Sequence, residues 1–373
     1  MSAEHTVLHI FSTFAAAGPQ VRTVGLMTAL GPDWKHRVVA ADGRLDALEL
    51  VPEGIDATAG GSLGGVRSAR RLLRDLRPAL LCTYNWGSFD AVLAARSLGL
   101  CNHLHHEDGF NADEVPRRKR RRAWARRWAL GKAHRVVVPS HVLEDIAQRE
   151  WGLTPPRLVR VPNGVDTERF CPGNEGRDAL RASLSIPADA LVVGAVGHLR
   201  PVKRFEVLIR ACGRLPRELT GAGVHLLILG DGAERTALER EAADHAPPGG
   251  RVHLPGHHAD LAPWYRAMDV FALSSSSEQL PLSLLEAMAA GLPVVATDVG
   301  DLRVTLGPGL DGHLVGAEGD CEGALAAELE VLLRSANERQ RLGAAGRERV
   351  REAFSEEAMV SAYRGLYEAA ASS

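Results

Sequence analysis

Short runs of consecutive apolar residues alternate along the chain with longer stretches whose apolar positions recur every three or four residues. Runs of that length bounded by polar and glycine-rich segments predict buried strands, and the three-to-four spacing predicts amphipathic helices. In the first half the strands fall at 7–11, 37–40, 80–83, 102–105, 135–138 and 158–161, with helices at 21–30, 66–76, 89–98 and 142–149. The second half repeats the rhythm, with strands at 191–196, 225–229, 251–254, 270–273 and 294–297 and helices at 205–212, 234–243 and 282–289. A last amphipathic helix, 355–371, carries Tyr363, Leu366 and Tyr367 on one face. Strands that are apolar throughout and alternate with helices imply α/β architecture with parallel sheets covered on both faces. Two such series imply two doubly wound, Rossmann-like domains, which hold ligands at the carboxyl ends of their strands.

The joint lies after Val161-Pro-Asn163-Gly164, an Asn-Gly turn, and the polar stretch 171–178 with Pro172, Gly173 and Gly176 reads as the linker. The expected domains are therefore 1–172 and 173–354, with 355–373 returning as a helix to the first. A length of 373 residues suits two domains, and 45% hydrophobic with 24% charged residues argues against global disorder. The net charge of −2 hides an asymmetry: residues 1–170 hold 24 basic and 18 acidic side chains, the remainder 20 and 28. A basic first half suits a negatively charged surface or acceptor. The five cysteines are scattered without a Cys-x-x-Cys pair, as expected of reduced thiols in a cytoplasmic protein. No apolar run reaches the roughly 18 residues that span a bilayer, and no signal peptide is read at the start.

The most informative stretch joins Glu278, on a serine-rich loop that ends at Pro281, to Glu286 in the first turns of the helix beginning at Leu282. A carboxylate beside the free N–H groups of a helix start suits a ligand with hydroxyls and phosphates, such as a sugar nucleotide. The plainer reading is a surface loop followed by an ordinary amphipathic helix. Gly230 and Gly232 form a turn after a strand, where backbone can approach a ligand or simply relieve crowding. Gly60, Gly61, Gly64 and Gly65 resemble a phosphate loop but follow no convincing strand, so they read as a connector.

Five motifs in order resemble the family 4 glycosyltransferases, the retaining group with the two-domain GT-B fold. They are Asn163-Gly-Val-Asp166, Gly197-His-Leu-Arg200-Pro-Val-Lys203, Leu229-Gly-Asp-Gly232, Asp269-Val-Phe-Ala-Leu-Ser274, and Glu278 followed by Glu286-Ala-Met-Ala-Ala-Gly-Leu-Pro. The resemblance covers nearly the whole chain and implies two Rossmann-like domains with parallel sheets facing a cleft. It implies that Glu278 contacts donor-sugar hydroxyls, that the backbone of Leu280, Pro281 and Leu282, with N–H groups at Leu280 and Leu282, lies near sugar and phosphates, and that Glu286 accepts from ribose hydroxyls. A carboxylate suits a vicinal diol because it accepts two hydrogen bonds. Lys203, at a strand's carboxyl edge, would stabilise a departing diphosphate, the alternative being an exposed lysine at a helix start. The family pairs that lysine with an arginine five residues earlier; here the position is His198, so either Arg200 supplies the second cation or His198 donates.

In the first domain the resemblance implies a backbone cradle at Gly18 and Gln20, although related enzymes carry two glycines where this chain has Ala17-Gly18. It puts one histidine beside the donor sugar, His105 by register and His106 as runner-up. Alternation sets His103 and His105 on one sheet face and His106 on the other. His257 and His258 would border the nucleobase, or lie on a solvated loop, and Asn163 joins the binding residues. The run 117–128 holds most of the local charge, with Trp124 and Trp128 four apart. It is either a charged helix whose tryptophans enter the core or a contact with anionic membrane; nucleic acid is disfavoured because no binding module accompanies it.

The implied reaction moves a sugar from a nucleotide diphosphate sugar to an acceptor hydroxyl, lipid-linked or saccharide, with retained configuration and neither cofactor nor metal. Cell-surface polysaccharide or glycolipid assembly at the inner membrane face fits these expectations. Two rivals are a sugar-nucleotide epimerase on the same architecture and a non-catalytic scaffold that binds a membrane or partner through 117–128.

Overall fold

The computed structural model describes residues 5–61, 63–110, 119–219 and 221–372. The chain divides into two compact units, Met1–Asn163 with Glu357–Ser373, and Gly164–Glu356. Each unit is built on one parallel sheet.

The first sheet has β1 (His5–Phe11), β2 (Trp34–Ala40), β3 (Ala57–Ala59), β4 (Leu80–Tyr84), β5 (His103–His106), β6 (Arg135–Val138) and β7 (Leu158–Arg160), in the order β3-β2-β1-β4-β5-β6-β7. One face packs Val7, Phe11, Val38, Cys82 and Val137 against the helix Gly18–Leu30 and against Met359, Tyr363 and Tyr367 of the final helix, Glu356–Ala371. The other face packs Leu8, Ile10, Val39 and Leu81 against Ala69 and Leu73 of Val66–Leu76 and Ala91, Ala94 and Ala95 of Phe89–Leu98. With both faces covered, the central strands need the unbroken apolar runs seen in the sequence.

The second sheet has β8 (Leu191–Val196), β9 (Val224–Leu229), β10 (Val252–Gly256), β11 (Val270–Leu273), β12 (Val294–Thr297) and β13 (Leu314–Val315), in the order β10-β9-β8-β11-β12-β13. Val192, Val196, Leu227 and Phe271 face the helix Leu282–Ala289, while Val193, Ala195, Leu226 and Ile228 face Phe205–Gly213 and Cys321–Arg334.

Three expectations are corrected. The edge strands β3 and β13 were not expected; they are three and two residues long and only partly buried, too short to leave a periodic signal. The Gly60-Gly61 run therefore does follow a strand, and the Gly60 N–H donates to the Val38 carbonyl, but β3 is at the sheet edge, away from the point where the strand order reverses. The stretch 171–178 is not the joint either. Phe170 already packs edge-on against Tyr265 in the second unit's core, and Arg177 bonds Asp269, so the division falls earlier, at Asn163–Gly164. At the other passage the Val165 N–H donates to the Phe354 carbonyl, and the Glu356 N–H donates to the Val165 carbonyl.

Candidate active site

In the second unit β8 and β11 are neighbours, yet the chain leaves them in opposite directions, to β9 and to β12. That reversal opens a crevice at their carboxyl ends. The loop after β8 ends in a 3₁₀ turn, Pro201–Lys203. The loop after β11 is sewn to it, because the Ser274 hydroxyl donates to the Lys203 carbonyl (2.9 Å) and the Ser276 N–H to the Val202 carbonyl (2.9 Å). The result is that Lys203 Nζ donates to Glu278 Oε1 at 2.5 Å, and the Ser275 hydroxyl donates to the same oxygen at 2.7 Å. The side chains are 18% and 10% exposed, so the pair is reachable but weakly screened. Glu278 Oε2 has no hydrogen-bond partner among the described residues. The backbone beneath Glu278 is fixed from the loop after β12: Gly300 adopts φ +58°, a Cβ there would strike the Glu278 carbonyl, and the Asp301 N–H donates to the Gln279 carbonyl.

Leu280 is buried and anchors the loop, Pro281 stands at the N-cap, and Leu282 begins the helix. Glu286 lies half-buried one turn on. The Tyr265 hydroxyl donates to Glu286 Oε2 at 2.7 Å. Burial raises the Glu286 pKa above the ordinary carboxylate range, and the Tyr265 hydrogen bond and the charge of Arg169 pull against that rise. Each glutamate thus has one oxygen tied to protein and one available to a diol. Sequence reasoning missed Ser275 and Tyr265. Ser275 sits inside the quoted serine run, but Tyr265 is on the separate turn Ala262–Arg266 and nothing in the spacing links it to Glu286.

Of the other expected residues, His198 is half-buried and its Nδ1 lies 3.1 Å from the Asp231 carbonyl, while Arg200 is exposed. At Gly230 and Gly232 the backbone is crowded: a Cβ would collide with the carbonyl of Gly197 or of Leu199, respectively. Gly230 also needs φ +135°. His257 is exposed beyond β10, and His258 stacks on Trp264.

In the first unit the reversal lies between β1 and β4. Gly18 opens its helix behind an extended Ala17, and Gln20 Nε2 donates to the Thr13 carbonyl, which fastens the loop. Phe14 is fully buried, so the loop folds onto the core. Thr83 Oγ1 lies 2.8 Å from both His103 Nε2 and His105 Nδ1, which puts these two rings on one face. His105 Nε2 approaches Glu107 (3.4 Å), and Arg126 grips that carboxylate at 2.9 and 3.1 Å. Burial opposes the charge on Glu107, but Arg126 and His105 overcome it and hold its pKa below the ordinary range. On the other face His106 is stacked between Tyr84 and Tyr363. Neither His105 nor His106 is exposed to solvent. Asn163 is also buried, its Oδ1 accepting from Arg22, which forks onto Asp108.

The charged helix is Arg120–Leu130; Arg117 and Arg118 lie outside the described residues. Its tryptophans do not enter the core: Trp124 and Trp128 are 67% and 48% exposed, while Arg126 is buried. The Glu107 carboxylate and the rings of Trp86, Phe110 and Trp151 around Arg126 supply the reason. Among the described residues no group of three or more His, Cys, Asp or Glu side chains could hold a metal ion, and no helix is long and apolar enough to cross a membrane.

Two parallel doubly wound sheets with an acid–lysine pair at the second reversal point define the class. The family model "Glycosyltransferase Family 4" matches residues 3–169, and "Glycosyl transferases group 1" matches residues 190–335. The chain belongs to the family 4, group 1 glycosyltransferases, and its fold is GT-B. It is 39% identical over 194 residues to D-inositol 3-phosphate glycosyltransferase of Saccharomonospora viridis, covering 50% of this chain and 44% of that one. It is 40% identical over 186 residues to the lipopolysaccharide core biosynthesis glycosyltransferase LpsE of Rhizobium meliloti, covering 50% and 52%. The chain therefore spans about half the length of the curated relatives it matches. Among solved structures it is similar to sucrose-phosphate synthase from Thermosynechococcus elongatus (25% identity, 98% and 100% coverage, TM-score 0.76). It is also similar to HepE of Anabaena in complex with UDP and glucose (16% identity, 98% and 100% coverage, TM-score 0.83).

Proposed function

We propose that the protein transfers a sugar from a nucleoside diphosphate sugar to an acceptor hydroxyl, with retention at the anomeric carbon and without a metal. The observation that carries this reading is the Lys203–Glu278 pair at the reversal point of the second sheet. Glu278 Oε2 and the available Glu286 oxygen accept from sugar and ribose hydroxyls, and the backbone around Leu280, Pro281 and Leu282 lies beside the phosphates. As the bond from the anomeric carbon to the diphosphate breaks, negative charge gathers on the phosphate, and Lys203 stabilises it. The acceptor oxygen bonds to the anomeric carbon on the same face, and its proton passes to the departing phosphate oxygen. Arg200 supplies the second cation, with His198 as donor at the position where the family has arginine. The UDP and glucose named in the HepE complex support a nucleotide-sugar donor. The names of the curated relatives support a phosphorylated or saccharide acceptor, in polysaccharide or glycolipid assembly.

The exposed Trp124 and Trp128, set among arginines, favour a peripheral contact with anionic membrane as well. Nucleotide release assayed with and without acceptor tests the reading. A sugar-nucleotide epimerase would convert donor with no acceptor, and a non-catalytic scaffold would release nothing.

A further inference from the structure

We propose that Arg204 is a positioning residue for Lys203: its left-handed backbone aims the lysine at Glu278, and its guanidinium, tied to the loop after β13, holds that backbone in place. Of the described residues other than glycine, four have a positive φ, and one of them, Arg204 (φ +50°, ψ +41°), directly follows Lys203. Glycine adopts this conformation freely, whereas a residue with a Cβ is crowded in it. It persists only where the surroundings over-determine it, and such residues gather at functional sites.

Three bonds over-determine it here. The Arg204 N–H donates to the Pro201 carbonyl and closes the 3₁₀ turn that carries Lys203. The Arg204 carbonyl accepts from the Val207 N–H at 3.0 Å, at the start of the helix Phe205–Gly213, whose Phe205 is buried in the core. The third is the bond that a glycine could not make: Arg204 Nη1 donates to the Ala317 carbonyl at 2.7 Å, across 113 positions. The chain thus reverses immediately after the lysine, which leaves Lys203 on the crevice side while Phe205 turns inward. The lysine stem runs across Gly197, where a Cβ would come within 3.3 Å of Lys203 Cε, and the ammonium ends on Glu278 Oε1. A right-handed or extended Arg204 would reorient the peptide between the two residues and draw the ammonium off that oxygen. Ser274 fixes the Lys203 carbonyl from the loop after β11, and Ala317 fixes the next residue from the loop after β13. The role of Arg204 in sugar transfer rests on the reading of Lys203 given above, whereas its hold on the lysine does not.

Acylation by acetic anhydride reads the ammonium directly, because the chain has four lysines, Lys35, Lys119, Lys132 and Lys203. The rate at each is taken from peptide masses, with the exposed Lys132 as reference. Glu278→Gln removes the ion pair and should speed acylation of Lys203 by about fivefold or more. Arg204→Met, which keeps the Cβ and loses the tether, should do so to a similar extent. Arg204→Gly, which takes the left-handed backbone freely, should stay within about twofold of the parent. Arg204→Met added to Glu278→Gln should give no further increase, since both act at one contact. A role confined to stability would instead raise all four lysines together and would add to the effect of Glu278→Gln. The proposal is overturned by an unchanged Lys203 in Arg204→Met or Glu278→Gln protein, by equal increases in the Met and Gly variants, by a further increase in the double variant, or by a rise shared with Lys132. Near-normal sugar transfer by Lys203→Ala would sink the transfer reading and leave the hold of Arg204 on the lysine standing.

Discussion

Lys203 Nζ meets Glu278 Oε1 at 2.5 Å although 75 positions separate the two residues. The serine loop brings them together by bonding the backbone on which Lys203 stands. An ammonium held at that point needs little reorganisation when charge develops on a leaving phosphate, and such preorganised stabilisation typically amounts to about a hundredfold or more in rate. Lys203→Ala should therefore lower turnover at saturating donor by about 10²-fold or more, roughly 2.7 kcal/mol of barrier. The melting temperature should fall only modestly, since Glu278 Oε1 keeps the Ser275 hydrogen bond and its carboxylate still reaches solvent. Steady-state kinetics beside a melting curve checks both, and near-normal turnover removes Lys203 from the mechanism.

Tyr265 acts through Glu286. Its hydroxyl occupies Oε2 and so turns the other oxygen outward, and its hydrogen bond holds down a pKa that burial raises. Tyr265→Phe should weaken nucleotide binding by about ten- to a hundredfold, the value of one hydrogen bond to a charged group. Turnover at saturating donor should change much less. Glu286 should also protonate at higher pH in the variant, so binding should fail at a less acid pH than in the parent. Discrimination between a ribonucleotide and its 2′-deoxy analogue should narrow. An unchanged pH profile together with unchanged discrimination would make Tyr265 purely structural.

How much of this was legible in the sequence depended on how local the cause was. The strand Leu191–Val196 and the helix Leu282–Ala289 match their expected bounds because burial on both faces, or on one stripe, writes itself into consecutive residues. Edge strands such as Leu314–Val315 bury too little to do so. Trp124 and Arg126 exchange the places that their chemistry suggests, Trp out and Arg in, because the partner of Arg126 is Glu107 on a different element. Glu278 and Lys203 were legible as candidates from motif order, but the Ser275 and Tyr265 bonds that orient the two glutamates depend on distant turns. The burial of His105 and His106 likewise comes from layers packed across the sheet.

Gly230 tests whether the turn after β9 is held by packing. It combines φ +135° with a position where a Cβ would meet the Gly197 carbonyl, so Gly230→Ala should destabilise the second unit by about 1–3 kcal/mol. The same change at Gly365, in the final helix with open space around it, should instead stabilise by about 0.5–1 kcal/mol. Urea unfolding of the two variants gives the comparison. Equal effects would show that neither crowding nor backbone strain governs Gly230.

The buried histidines of the first unit make its stability depend on pH. His9, His36, His103 and His106 are enclosed, and burial is the leading cause that depresses each pKa, to about 4 for His36 and about 3 for His103. Their neutral rings bond within the fold, as His9 Nε2 does with His36 Nδ1 at 3.0 Å. An unfolded histidine takes up a proton near pH 6.5, whereas these stay neutral until far lower pH. Between those limits the unfolded chain binds more protons, so stability is full above about pH 6.5 and falls as pH falls. Each ring contributes at most about 1.4 kcal/mol per pH unit across its window. Glu286, with a raised pKa, works in the opposite direction, but it belongs to the second unit. The urea midpoint followed by tryptophan fluorescence should thus be lower at pH 5 than at pH 7, and His36→Gln should flatten the slope. A midpoint that does not move between these pH values would mean that the rings are protonated in place or are reached by water.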